Sequence, residues 1–229
     1  LGFTASIIAD VNNLRFDVIN QKKNLSHNST VGIAQDNKGF IWITTIDGLN
    51  RYDGYSCKVY RHNSKDSTSI SGNRVGSIYF DSHGYLWVGT FGKGLNRFNP
   101  KTETFKHFFH NSSNPQSISS NFVGEMTEDK NGNIWIGTKN GLNVYSYETN
   151  GFTHYFPDTE KPFSIGGQEI YSEFCDPDGA IWIATVDGGL SKFDPDTKKF
   201  TNYKHNPLNH QSIGTNNLTT MDMDKLGRL

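Results

Sequence analysis

One short phrase, repeated four times, constrains this chain more than any other feature. Asp129 to Asn143 reads DKNGNIWIGTKNGLN, Asp36 to Asn50 reads DNKGFIWITTIDGLN, Asp81 to Asn96 reads DSHGYLWVGTFGKGLN, and Asp176 to Ser191 reads DPDGAIWIATVDGGLS. The tryptophans fall at Trp42, Trp87, Trp135 and Trp182, so the spacings are 45, 48 and 47 residues. A repeat of that length, punctuated by glycine turns, belongs to stacked β architectures. In each copy Asp-x-x-Gly reads as a turn, with Gly39, Gly84, Gly132 and Gly179 supplying the positive φ of a tight hairpin. The β-branched and aromatic run that follows reads as a strand apolar on both faces. Two residues after each Trp comes a small one, Thr44, Gly89, Gly137 or Ala184, which lets a neighbouring sheet approach. A second turn ends at Gly48, Gly94, Gly141 or Gly189 and opens a third strand.

The segments around this phrase complete the unit. Inner strands are expected at Val31 to Gln35, Val75 to Phe80, Val123 to Glu128 and Ile170 to Cys175. Third strands are expected at Leu49 to Tyr52, Leu95 to Phe98, Leu142 to Tyr145 and Leu190 to Phe193. Fourth strands follow at Lys58 to Tyr60, Phe105 to Phe109, Phe152 to Phe156 and Phe200 to Tyr203. The connectors match too. His62, His110 and His205 each precede a Ser-Ile pair by seven residues and an Asn (Asn73, Asn121, Asn216) by eleven. Four-stranded antiparallel units at this period are propeller blades, so the fold class is all-β. The expected blades are 29–62, 74–110, 122–157 and 169–205, with the start of another at 217–229. Leu14 to Ile19 reads as an isolated strand and Leu218 to Asp222 as a fifth inner strand. Propeller rings hold about 4–8 blades. The cut inside the fifth unit suggests a fragment of a larger ring, with seven blades the expected number. Residues 1–13 read as an N-terminal arm or the remnant of a signal peptide.

Composition agrees with many short strands and turns. Hydrophobic residues make up 34%, with 23 glycines, 16 Phe, 10 Tyr and 4 Trp. A net charge of −1, with no basic run longer than two, argues against nucleic acid as a partner. Cys57 and Cys175 fall in different strands of different blades and read as small buried hydrophobes.

With its repeated D-x-x-G-x-[IL]-W-[IV]-[GAT]-T-x-x-G-L, followed by an aromatic strand and an S-I-x-x-N connector, the chain resembles the two-component regulator propeller repeat. The resemblance covers about residues 14–229. It implies the periplasmic sensor region of a hybrid two-component system of the Bacteroides type. The partners it implies are an oligosaccharide ligand, the rest of the same sensor chain, and a second copy through the parent protein. It implies no catalysis and no cofactor in this segment.

The sequence has no Gly-x-Ser-x-Gly elbow, no phosphate loop and no Cys-x-x-Cys. The recurrent histidines read as structural, and Asp129 to Asn133 as a hairpin rather than a calcium loop. No metal site is expected. A binding site belongs at the ring face, where the connectors and the second-to-third-strand turns converge and can vary without breaking a blade. The residues departing from consensus there are Asp47, Phe91, Lys93, Lys139, Asn140 and Asp187 in turns, and Arg74, Phe122, Gln168 and Glu169 in connectors. A propeller enzyme of the streptogramin lyase type and a protein-interaction scaffold are the alternatives.

Overall fold

The computed structural model describes residues 17–224 and 227–229. The expected arm at 1–13 and Leu14 to Phe16 lie outside the described residues. Among the described residues, sixteen strands form four separate four-stranded antiparallel sheets, each meandering in sequence order. The first blade holds β1 (Thr30–Gln35), β2 (Ile41–Thr45), β3 (Gly48–Tyr52) and β4 (Cys57–Tyr60). The second holds β5 (Val75–Phe80), β6 (Leu86–Thr90), β7 (Leu95–Asn99) and β8 (Thr104–Phe108). The third holds β9 (Val123–Glu128), β10 (Ile134–Thr138), β11 (Gly141–Ser146) and β12 (Gly151–Tyr155). The fourth holds β13 (Ile170–Cys175), β14 (Ile181–Thr185), β15 (Gly189–Asp194) and β16 (Lys199–Tyr203). The innermost strands β1, β5, β9 and β13 stand side by side, each against the next. The predicted strand bounds hold to within about a residue, the usual uncertainty at strand ends.

The repeat phrase folds the same way each time. The four Asp-x-x-Gly glycines all have positive φ, between 79° at Gly132 and 100° at Gly179. The Asp does more than turn the chain. One carboxylate oxygen accepts backbone N–H groups of the turn, while the other accepts the indole N–H six residues on. The indole distances are 2.9 Å from Trp42, 2.6 Å from Trp87 and 2.9 Å from Trp135 and Trp182. A buried indole N–H needs such a partner. Burial pulls the Asp176 carboxyl upward, yet the bonds from Trp182, Ala180 and Gly179 hold it below its usual range.

The indoles also pack equivalently. Each stacks on a fourth-strand ring of its own blade: Tyr60, Phe108, Tyr155 or Tyr203. The first three also meet a third-strand ring of the next blade, Phe98, Tyr145 or Phe193. Each seam therefore carries one apolar cluster joining two sheets. Trp182, on the last described blade, is half-buried.

The connectors are locked by a second repeated device. Leu25, Ile70, Ile118 and Ile165 are buried plugs. The residue after each plug donates its backbone N–H to a third-strand side chain: Ser26 to Asn50, Ser71 to Asn96, Ser119 to Asn143 and Gly166 to Ser191, at 2.8–3.0 Å. The connector Asn residues cap the outgoing strand, accepting the His62, His110 and His205 backbone N–H groups. The imidazole Nδ1 of those histidines lies 2.8–2.9 Å from the Ile70, Ile118 and Ile213 carbonyls.

Three expectations need correction. Leu218 to Asp222 is not a strand, although the turn after it forms, with Gly227 N–H on the Asp224 carbonyl. An innermost strand draws its ladder from the second strand of its own blade, and among the described residues none pairs with it. Asp17 to Ile19 is likewise not a strand; Ile19 packs against the Leu25, Ile43 and Cys57 cluster instead. Cys57 is buried in a fourth strand as expected, but Cys175 is only half-buried, and both thiols are free.

Candidate functional site

All four innermost strands carry a register shift against their second strands near the ring face, at Thr30/Gly32 in β1, Val75/Ile78 in β5, Val123/Met126 in β9 (opposite Thr138 and Ile136) and Ile170/Ser172 in β13. A bulge bends its strand and re-aims a side chain. Here the residues left between the shifted pairs, Val31, Gly76, Ser77, Gly124, Glu125 and Tyr171, border a recess of about 380 Å³ that all four blades share. Val31, Ile33, Glu125, Met126 and Tyr171 lie along it, with Phe91 at the rim.

The turns and connectors meet at this rim through backbone bonds. Phe91 N–H bonds the Arg74 carbonyl, Lys139 N–H the Phe122 carbonyl, and Val186 N–H the Glu169 carbonyl. Phe91 and Phe122 also form a β-bridge across the seam between the second and third blades. Eight of the ten predicted site residues thereby fall into one continuous row. The Arg74 guanidinium lies 4.7 Å from the Phe91 ring centre, and Lys139 Nζ lies 5.2 Å from that of Phe122. Lys139 Nζ is 3.6 Å from Glu169 Oε1. Gln168 bridges the rest, its side chain donating to Asn140 Oδ1 at 2.7 Å and its backbone N–H to Asp187 Oδ1 at 3.1 Å.

Asp47 and Lys93 do not join this row. Asp47 pairs with Arg61 at 3.0 Å on the first blade. The Lys93 stem packs on Gly72, and its carbonyl accepts the Ser71 hydroxyl at 2.6 Å. The row leaves two large apolar rings open to solvent, Phe91 at 39% and Phe122 at 47% exposure. Gly76 is what lets Phe91 lie over the channel mouth: a Cβ there would come within 3.1 Å of the ring.

Sequence reasoning missed three residues inside strands. Tyr171 stands where β5 and β9 have Gly76 and Gly124; its hydroxyl donates to Glu169 Oε1 at 2.7 Å, and this bond raises its pKa. Glu125 faces the recess and accepts the Ser172 hydroxyl at 2.6 Å. Glu173 occupies a position where the other inner strands have Ile33, Ile78 and Met126, and it is buried. Its Oε1 accepts Gly137 N–H at 2.8 Å, a donor that the bulge takes out of the β9 register. Its Oε2 has no partner. Burial raises the Glu173 pKa well above the usual carboxylate range; the nearby Glu125 charge adds to this, and the Gly137 bond opposes it. Comparing the four inner strands position by position is the signal that would have exposed these substitutions. Among the described residues, no cluster of three or more His, Cys, Asp or Glu could hold a metal ion.

Blades of four antiparallel strands, joined through indole-centred seams around a common recess, define a β-propeller whose variable residues gather on one ring face. The two-component regulator propeller family model matches residues 24–47, 69–92 and 117–140. Each match runs from the connector through the second strand and into the turn at the ring face. Those three segments are similar to the repeat of that family. It is 44% identical over 66 residues to histidine kinase P4 of Formosa agariphila, which covers 29% of this chain and 5% of that protein. It is similar to the extracellular domain of a hybrid two component system from B. thetaiotaomicron, with 31% identity and a TM-score of 0.71, over 79% of this chain and 25% of that one. Virginiamycin B lyase from Staphylococcus aureus shares the fold at 12% identity and a TM-score of 0.57, over 78% of this chain and 56% of that one. The chain spans only a small part of the kinase and a quarter of the extracellular domain.

Proposed function

We propose that this chain is part of the sensor region of a two-component signalling protein, and that its ring face binds an oligosaccharide. The row from Arg74 through Phe91, Phe122 and Lys139 to Glu169 carries the reading. Exposed flat rings flanked by side chains that donate and accept hydrogen bonds suit the alternating apolar faces and hydroxyls of sugars. Similarity to the extracellular domain of a hybrid system supports a site outside the cytoplasm, and we place it in the periplasm. Signalling would then need a kinase elsewhere in the parent chain. A ligand can shift the sensor only by its difference in affinity for two arrangements, here those of a sensor dimer.

The lyase-type alternative is less well supported. His62, His110 and His205 hold their connectors together, and His107 and His154 lie within 2.6–2.7 Å of the Ser69 and Ser117 carbonyls. Calorimetric titration of a panel of plant and host oligosaccharides tests the sensor reading. At least one should bind the wild-type chain and lose most of its affinity to the Phe91→Ala/Phe122→Ala double variant. The reading fails if nothing in the panel binds, or if a bound sugar ignores the double substitution.

A further inference from the structure

We propose that the ring-face row selects a carboxylate-bearing oligosaccharide, a uronate, with the Arg74 guanidinium donating to the carboxylate. This rests on the oligosaccharide reading above and goes beyond it by assigning charge and orientation. Arg74 is exposed, and among the described arginines it alone makes no side-chain hydrogen bond or ion pair. Arg51 pairs with Glu103, Arg61 with Asp47 and Arg228 with Asp224, while Arg97 donates to the Tyr145 hydroxyl. Its backbone carbonyl accepts Phe91 N–H, and its guanidinium makes no hydrogen bond. Its guanidinium lies against the Phe91 ring, which orients the planar fork while leaving its N–H groups unused. A planar carboxylate matches that fork with two parallel hydrogen bonds.

The row is also electrically one-sided. Its second-blade end carries the unpaired Arg74. Its far end carries Glu169, already beside Lys139, and Asp187, already accepting from Gln168. Glu125 adds a further negative charge in the recess. An anionic group is therefore favoured only at the Arg74 end. Asn140, Gln168 and the Tyr171–Glu169 pair are left to meet uncharged hydroxyls. Phe91 and Phe122, between the two ends, give the sugar rings a surface to lie on.

The test compares short oligomers of galacturonate, glucuronate, mannuronate and guluronate with their methyl esters, titrated calorimetrically into the full chain. Esterification removes the charge and leaves the ring stereochemistry alone. At least one acid should bind about tenfold or more tighter than its ester, as expected for a charge-assisted hydrogen bond. That preference should shrink as salt rises. In Arg74→Gln the acid and its ester should bind equally, with an unchanged melting temperature because the side chain is exposed. In Phe91→Ala both should weaken. If the esters or neutral oligosaccharides bind as well as the acids, the charge assignment is overturned while the sensor reading stands. If the acid preference survives Arg74→Gln, the residue assignment is overturned. If no oligosaccharide of either kind binds, both proposals fall.

Discussion

Glu173 offers the sharpest test of how the seams are built. Its carboxyl is buried between the third and fourth blades, with one oxygen on Gly137 N–H and the other unpartnered. Burial raises its pKa in the folded chain, so the folded state holds a proton that the unfolded state releases near the ordinary carboxylate value. This contribution to stability is fully present below the unfolded pKa and is lost as pH rises toward the folded one. The loss is about 1.4 kcal/mol per pH unit in that window. Glu173→Gln keeps an acceptor for Gly137 N–H and removes the titration. As pH rises above the ordinary carboxylate range, its stability relative to the wild type should therefore climb, by at most about 1.4 kcal/mol per pH unit, and level off once the folded-state group has ionised. Each kcal/mol corresponds to about 2–4 °C in melting temperature for a chain of this size. Urea unfolding at pH 5, 6, 7 and 8, followed by tryptophan fluorescence, reads the difference directly, since Trp135 sits in the same seam. A difference between the two proteins that does not change with pH would refute the reasoning. So would a wild type that gains on the variant as pH rises.

Further expectations follow from the repeated devices. Asn143→Ala should cost about 1–3 kcal/mol by leaving the Ser119 N–H without its buried acceptor; Asn143→Ser should cost less, because Ser191 serves the same bond in the fourth blade. Denaturant midpoints of the two variants check this. Gly137→Ala should destabilise by about 1–3 kcal/mol through overpacking, since a Cβ would lie 2.7 Å from both Glu173 Oε2 and Ile170 Cγ2; calorimetric melting reads the loss. Trp135→Ala should cost about 3–5 kcal/mol, whereas Phe91→Ala, at an exposed position, should leave the unfolding midpoint nearly unchanged.

Much of the fold was legible because each blade is a run of hairpins, whose strands neighbour one another in sequence and repeat at fixed offsets. Gly132 and Trp135 announce a turn and a buried strand on their own. The His110 to Asn121 offset likewise signals a connector of constant shape, which the bond from His110 backbone N–H to Asn121 Oδ1 explains. The second partner of Asp129 was not legible. A turn residue shows its local bonds in sequence, while the Trp135 indole reaches it only after the hairpin closes. Asp47 and Lys93 stood out from consensus as clearly as Phe91 did, yet a salt bridge and a packed stem keep them out of the ring-face row. Departure from consensus marks freedom to vary; it does not say which neighbour a side chain will meet.

The amino-acid order alone settles the blade, its period and its indole-bearing strand, because those depend on contacts between residues a few positions apart. Which groups come together across blades is settled in three dimensions. The burial of Glu173 against Gly137, and the line from Arg74 to Asp187, depend on the angle at which one sheet packs on the next and on the bulges that redirect its inner edge. Those follow from side-chain volume and hydrogen-bond satisfaction over separations that no local pattern records.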